Sequence, residues 1–112
     1  MTPVLAPMPR GILATVTARA RAAGAREALT GASAGEPFVR VLPAGAWPHT
    51  GATAGSNACH LQVTEDVDSG RIIVVSALDN LGKGAAGQAV QCANLMLGLP
   101  ETTGLSAYGV AP

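Results

Sequence analysis

The chain has 112 residues, which is enough for one domain, and its seven basic and seven acidic residues balance to a formal charge of zero. This balance excludes electrostatic attraction to a nucleic acid or to an anionic membrane as the basis of function. Charged residues make up only 12% of the chain, against about 25% in an average domain, so we expect other protein to cover part of the surface.

Three features of the sequence indicate a reducing compartment and no membrane. Cys59 and Cys92 are the only cysteines, too few for a disulfide scaffold. Prolines interrupt the first nine residues, so they do not resemble a signal peptide. The apolar run at residues 72–78 is too short to cross a bilayer. We therefore expect a soluble, cytoplasmic protein.

The first half of the chain predicts a strand, a helix and a second strand. β-branched residues cluster in residues 11–19, which is typical of a strand. Residues 22–34 predict a weak helix, because two glycines interrupt it, and Pro37 lies beyond its end. Residues 38–42 then predict a short strand, which leads into an irregular segment at residues 43–57. Loops this long are usually functional or buried against something, and we expect Trp47 to anchor this one against a core or a neighbouring subunit.

The second half predicts a hairpin followed by a helix. Residues 58–65 alternate between apolar and polar side chains, residues 66–70 have turn chemistry, and residues 71–78 predict the return strand. The order strand, helix, strand, strand, strand, helix predicts an α+β fold with a mostly antiparallel sheet and helices on one face. The tail after residue 102 is small and apolar, and an extended segment is one interpretation of it.

The predicted last helix, residues 85–97, carries no charged residue. Its polar residues Gln88, Gln91 and Asn94 recur at a spacing of three and form one narrow stripe, while the rest of its circumference is apolar. A surface helix normally has a charged face, so this one is expected to be packed on at least two sides. We expect the sheet to cover one side and a second body of protein to cover the other.

A glycine-rich turn precedes this helix and is the strongest candidate site. It places Asp79, Asn80 and Lys83 beside a helix N-terminus, where free amide donors favour an anionic ligand or a polar group. The alternative is that Asp79 and Asn80 cap the turn while Lys83 is solvated. Gly84 and Gly87 indicate either close approach of a ligand to the backbone or tight packing.

Arg10 is a second candidate, because it begins a strand and an arginine can pair with a carboxylate or phosphate through two hydrogen bonds. The alternative is an ordinary surface arginine. Neither cysteine is expected to be a nucleophile, since neither lies at a helix N-terminus or beside a base. Cys59 and His60 point to opposite sides of a strand, so no metal site is expected.

Several blocks of sequence, in order, resemble the C-terminal part of the N-acetyl-γ-glutamyl-phosphate reductase family. These blocks are residues 5–15, 38–43, 55–57, 79–91 and 94–105. The resemblance implies an arginine-biosynthesis enzyme that reduces N-acetyl-γ-glutamyl phosphate to N-acetylglutamate semialdehyde with NADPH, through a thioester on a cysteine. It also implies an N-terminal Rossmann domain followed by an α+β domain that binds substrate and forms the subunit interface.

On this resemblance, residues 1–112 are part of the substrate-binding and dimerisation domain, and residues 79–112 return to pack on the Rossmann domain. The resemblance places Asn80, Lys83 and Gly84 at the cofactor, with NADP held mainly by the absent Rossmann domain. Arg10, from its position at the start of a strand, is the predicted substrate contact. The resemblance also implies a homo-oligomer, a dimer or a tetramer. The polar sheet face could meet solvent or form the subunit interface, and the resemblance favours the interface. That face comprises Thr15, Thr17, His60, Gln62 and Thr64.

The chain also departs from the family, because it has roughly a third of the expected length. The dinucleotide-binding fingerprint, the nucleophilic cysteine and the catalytic histidine are absent, so no catalytic residue is assigned. The sequence is consistent with a fragment, a mis-assigned start or a decayed copy. A non-catalytic dimerisation or interaction module is the alternative function.

Overall fold

The computed structural model describes residues 3–20 and 23–110, and its centre is a four-stranded sheet with strand order β1-β4-β3-β2. A five-residue π-helical turn, Gly82–Ala86, leads directly into the last helix. The elements are β1 (Ile12–Arg19), α1 (Ala25–Ala32), β2 (Val39–Val41), α2 (Thr50–Thr53), β3 (Cys59–Asp66), β4 (Arg71–Leu78) and α3 (Gly87–Met96).

The sheet confirms the predicted α+β architecture. β4 is antiparallel to both β1 and β3, whereas β2 is parallel to β3. The β3–β4 hairpin is closed by Asp66, whose carboxylate accepts hydrogen bonds from the backbone N–H and the hydroxyl of Ser69. Gly70 completes the turn with φ +63°, a conformation that glycine adopts without strain. None of the helices within the described residues has the length and apolar character that a bilayer crossing requires.

Helix α1 (Ala25–Ala32) is shorter than the helix predicted at residues 22–34, of which residue 22 lies outside the described part of the chain. Its start is fixed by contacts with the sheet. Gly24 adopts φ +98° immediately before it, and the carboxylate of Glu65 in β3 accepts from the backbone N–H groups of Gly24 and Ala25 at 3.0 and 2.9 Å. Arg26 then donates to the carbonyl of Leu42 at 2.9 Å. These contacts attach α1 to the edge of the sheet.

Gln62 corrects the prediction for the polar sheet face. Its side chain is only 2% exposed, and its Nε2 donates to the carbonyls of Pro43 and Ala46 at 2.6 and 2.5 Å. Arg26 donates to its Oε1. Gln62 therefore holds the segment after β2 against the sheet inside this chain, and for this residue the solvent-or-interface prediction is wrong. Trp47 is half exposed, so a neighbouring protein remains the predicted partner for it.

The hydrophobic core is small for a chain of this mass. Among the residues that the structure describes, the buried apolar ones are Phe38, Ala58, Val63 and Ala77. The accessible surface is 7259 Å², whereas a compact monomer of 11.1 kDa exposes about 5,700 Å². The radius of gyration is 15.0 Å, against about 13 Å for a compact domain of this length. This much apolar and total exposure is typical of a domain that packs against further protein.

Helix α3 turns two of the three residues of its polar stripe inward, Gln91 and Asn94, whereas Gln88 is exposed. Gly87, Gln91 and Asn94 are its buried residues, while its apolar side chains, including Leu95 and Met96, are exposed. The prediction that the sheet covers one apolar side of this helix is therefore wrong. The inward orientation has a local cause, since Asn94 Nδ2 donates to the carbonyls of Glu101 and Thr103 and thereby folds the tail back as a series of turns.

Candidate functional site

The candidate site is organised around Asp79, the residue that follows β4. Asp79 is 1% exposed. Each of its two carboxylate oxygens accepts two hydrogen bonds. Oδ1 accepts from the backbone N–H groups of Leu81 and Gly82 at 2.8 and 2.9 Å. Oδ2 accepts from the N–H of Gly55 and from Nη2 of Arg10, each at 2.5 Å. We call these five residues the Asp79 cluster; it joins three segments that are distant in the sequence.

The Asp79 cluster keeps its carboxylate charged. Burial raises the pKa of Asp79, but the hydrogen bonds from Gly82, Gly55, Arg10 and Leu81 outweigh burial and hold the pKa well below its usual range. The ion pair is formed with Arg10, whose side chain remains 40% exposed. Arg10 therefore has one nitrogen fixed in the cluster and other donors facing outward.

This arrangement predicts a specific loss of stability in acid. Because the folded-state pKa is depressed, the stabilisation from Asp79 is fully present above about pH 4, the ordinary pKa of an aspartate. It is lost progressively as the pH falls below that value. We expect Asp79→Asn to be less stable at pH 7 and to lose less stability between pH 5 and pH 2, as measured by urea unfolding. Equal pH slopes in the two proteins would contradict this account of the cluster.

Asn80 lies at the same end of the sheet and is half-buried. Its Oδ1 accepts a hydrogen bond from the backbone N–H of Gly11 at 2.7 Å, which ties the turn to the start of β1. Among the contacts of the described residues, its Nδ2 has no protein acceptor. The carboxamide is thus oriented by one atom and can offer the other to a ligand.

Lys83 is held by the helix that follows it. Its Nζ donates to Oε1 of Gln91 at 2.6 Å and lies 5.7 Å from the centre of the Phe38 ring. The same Oε1 accepts from Nδ2 of Asn57 at 3.0 Å. Lys83 is therefore oriented by the buried side chains of Gln91 and Asn57, which are hydrogen-bonded to each other. The ammonium group has further N–H donors that can bind a ligand.

The glycines around the turn are required by close packing. A Cβ on Gly82 would lie 2.4 Å from the carbonyl oxygen of Ser56, and one on Gly87 would lie 2.3 Å from Oδ1 of Asn57. At Gly84 the nearest atoms would be 3.2 Å away. For Gly87, the structure therefore gives packing within this chain as the reason for the glycine.

Sequence reasoning identified the turn but not the residues that support it. The alternative in which Asp79 caps the turn agrees with the hydrogen bonds that its carboxylate accepts from the N–H groups of Leu81 and Gly82. Gln91 was described only as part of the polar stripe of the last helix. A carboxylate directly after an apolar strand and before a glycine-rich turn is the available signal for Asp79. Its partners Gly55 and Arg10 lie 24 and 69 residues away, so no local spacing could reveal them.

The other polar candidates lie apart from this turn. Cys59 is half-buried in β3 with its Sγ 3.4 Å from the hydroxyl of Ser76, and Cys92 is exposed on α3. The pKa of His60 is lowered by burial and by the nearby charges of Arg40 and His49. Within the described residues, no group of three or more potential metal ligands comes together.

Comparisons with known proteins give a consistent result. A family model described as the dimerisation domain of semialdehyde dehydrogenase matches residues 1–80. The N-acetyl-gamma-glutamyl-phosphate reductase of Salinispora arenicola is 72% identical over 112 residues, which are 99% of this chain and 34% of the relative. The proteins with the same name from Frankia casuarinae and Streptomyces coelicolor are 69% and 59% identical, again over 99% of this chain and 34% of the relative. The chain thus spans about a third of the length of the curated relatives it matches, in their C-terminal part.

Proposed function

The chain belongs to the family of semialdehyde dehydrogenase dimerisation domains, and from this premise we propose that it is the C-terminal part of an N-acetyl-γ-glutamyl-phosphate reductase. The single observation that carries the proposal is the 72% identity with a reductase of that name across 99% of this chain. The reaction proposed for the complete enzyme is reduction of the acyl phosphate N-acetyl-γ-glutamyl phosphate to the semialdehyde, with release of phosphate, in arginine biosynthesis. The cytoplasm is the proposed location, which two free thiols suit.

The proposed cofactor is NADP, bound mainly by a Rossmann domain outside this chain, where it supplies the hydride. Asn80, Lys83 and Gly84 are the proposed contacts within this chain. The fit rests on the polar atoms that the turn presents, namely the carboxamide Nδ2 of Asn80 and the ammonium of Lys83. Asn80 is already oriented by a hydrogen bond to its Oδ1, and Lys83 by a hydrogen bond from its ammonium group to Gln91. Little side-chain entropy would therefore be lost when the cofactor binds.

Arg10 is the proposed substrate contact. Its side chain is 40% exposed, and one guanidinium nitrogen is fixed by Asp79. The remaining N–H groups suit a phosphate or carboxylate oxygen, for which arginine offers two parallel hydrogen bonds. The catalytic cysteine and histidine of the proposed reaction are assigned to the part of the enzyme outside this chain.

Two exposed surfaces are proposed to have different occupants. The family model covers the whole sheet and ends at residue 80, so we assign homo-oligomer formation, as a dimer or tetramer, to the sheet. Helix α3 lies beyond that match, and its exposed apolar side is assigned to the Rossmann domain of the same polypeptide. A non-catalytic dimerisation module is the second candidate, because the chain spans only about a third of its relatives.

A transplant into a relative separates the two candidates. The corresponding third of the Salinispora arenicola reductase is replaced by this chain, and NADPH oxidation is followed with the acyl phosphate as substrate. We expect activity from this chimera and no oxidation of NADPH by the 112-residue chain alone or by the relative without its C-terminal third. A folded, inactive chimera would favour the non-catalytic module.

A further inference from the structure

The proposed substrate and cofactor contacts are joined by two adjacent hydrogen bonds. Arg10 donates to the carboxylate of Asp79 at 2.5 Å, and the neighbouring N–H of Gly11 donates to Oδ1 of Asn80 at 2.7 Å. Residues 10–11 and 79–80 are far apart in sequence but meet where β1 and β4 pair, since Ile12 lies opposite Leu78. A displacement of either segment therefore moves both proposed contacts.

The carboxylate of Asp79 has little freedom to reorient. Three of its four hydrogen-bond donors are backbone N–H groups, those of Gly55, Leu81 and Gly82, and these define the plane and direction of the carboxylate. The fourth donor is the guanidinium of Arg10. A buried acceptor held by three rigid donors gives its mobile partner a fixed orientation, because any other position leaves a buried charge without its hydrogen bond.

We propose that Asp79 is a positioning residue that sets the geometry of Arg10 relative to Asn80, and so couples substrate binding to cofactor binding. This inference rests on the proposed function. Asp79 is only 1% exposed, so it has almost no surface with which to touch a ligand itself. Its role is therefore to orient the two residues that touch substrate and cofactor.

Asparagine is the informative replacement, since it has nearly the same shape as aspartate. It keeps one oxygen acceptor, but its NH₂ group would face a donor, either the N–H groups of the turn or those of Gly55 and Arg10. Either orientation removes the acceptor from one side of the cluster. The backbone fold can survive this change while the position of Arg10 or of the turn is lost.

The experiment measures KM for both substrates in the chimera with the Salinispora arenicola reductase. We expect Asp79→Asn to raise KM at least fivefold for both the acyl phosphate and NADPH. Arg10→Met is expected to raise KM about tenfold for the acyl phosphate and to leave KM for NADPH within a factor of about two. Because Asp79 acts on the acyl phosphate through Arg10, the double variant is expected to have the same KM for it as Arg10→Met alone.

A matched control is Asp66→Asn, the same chemical change in an exposed turn, and it is expected to leave both KM values unchanged. A merely structural role for Asp79 would lower the fraction of active enzyme, and hence kcat, without moving KM. Unchanged KM values in an active Asp79→Asn chimera would overturn this inference alone. An inactive, folded chimera without substitutions would overturn the proposed function, and this inference with it.

Discussion

Gly87→Ala is expected to lower the free energy of unfolding by about 3 kcal/mol, the upper part of the usual range for an overpacked site. The new Cβ would lie 2.3 Å from Oδ1 of Asn57 and 2.9 Å from the backbone carbonyl of Gly82. Asn57 has no room to withdraw, because it is only 2% exposed and its Nδ2 is bonded to Gln91. The strain falls directly on the turn that carries Asn80 and Lys83. Urea unfolding of the chain and of the chimera measures the loss.

The matched control is Gly31→Ala in α1. A Cβ at Gly31 meets nothing within 4 Å, and the residue has an ordinary helical backbone. There the same substitution is expected to raise stability by about 0.5 to 1 kcal/mol, because alanine loses less backbone entropy on folding. A neutral effect at Gly87, or equal losses at both glycines, would mean that the contact between the turn and Asn57 is not tight.

Met96→Lys is expected to lower the free energy of unfolding of the complete chimera by several kcal/mol and to leave that of the isolated chain almost unchanged. Met96 is 86% exposed on the side of α3 opposite its buried residues. If another domain covers that side, the substitution buries an unpaired ammonium group, which is among the most costly changes in a protein. In the isolated chain we expect self-association through this surface, and the lysine should reduce it. Thermal unfolding of the chimera and light scattering of the chain measure the two effects.

Val67→Lys provides the comparison, since Val67 is also 86% exposed but lies in the β3–β4 turn. We expect it to change the stability of the chimera by less than about 0.5 kcal/mol, as is usual for exposed positions. Equal effects of the two lysines on the stability of the chimera would show that no other domain covers the exposed side of α3.

The sequence predicted those parts of the fold whose signal is local. Residues 71–78 form β4 with the predicted bounds, because an apolar run beside turn chemistry leaves few alternatives. The strand predicted at residues 58–65 is β3, and it lies one residue later in the structure, at Cys59–Asp66. Gln62 was misassigned because strand alternation tells which residues share a face, and not whether the face is covered. Its partners, the carbonyls of Pro43 and Ala46, belong to a loop whose path no periodicity reveals.

Helix α3 shows the same limit more strongly. Its pattern correctly separated a polar stripe from an apolar surface, but the usual rule that polar residues face water gives the wrong orientation here. Gln91 and Asn94 face inward because they bond to Asn57 and to the tail, whereas Gln88 is exposed. Likewise, the turn at residues 79–84 could be predicted as a candidate site from local sequence, whereas its connection to Arg10 depends on a strand pairing across 69 residues.

The central claim is that the apolar side of α3 is covered in the complete protein by polypeptide outside these 112 residues. Cys92 reports on it directly, since its thiol is exposed on α3 in this chain. The measurement is the rate at which iodoacetamide labels Cys92, followed by peptide mass spectrometry in the chimera and in the urea-unfolded chain. We expect labelling in the folded chimera to be at least about tenfold slower than in the unfolded chain, as burial of a thiol requires. Labelling at the unfolded rate in an active chimera would contradict the claim.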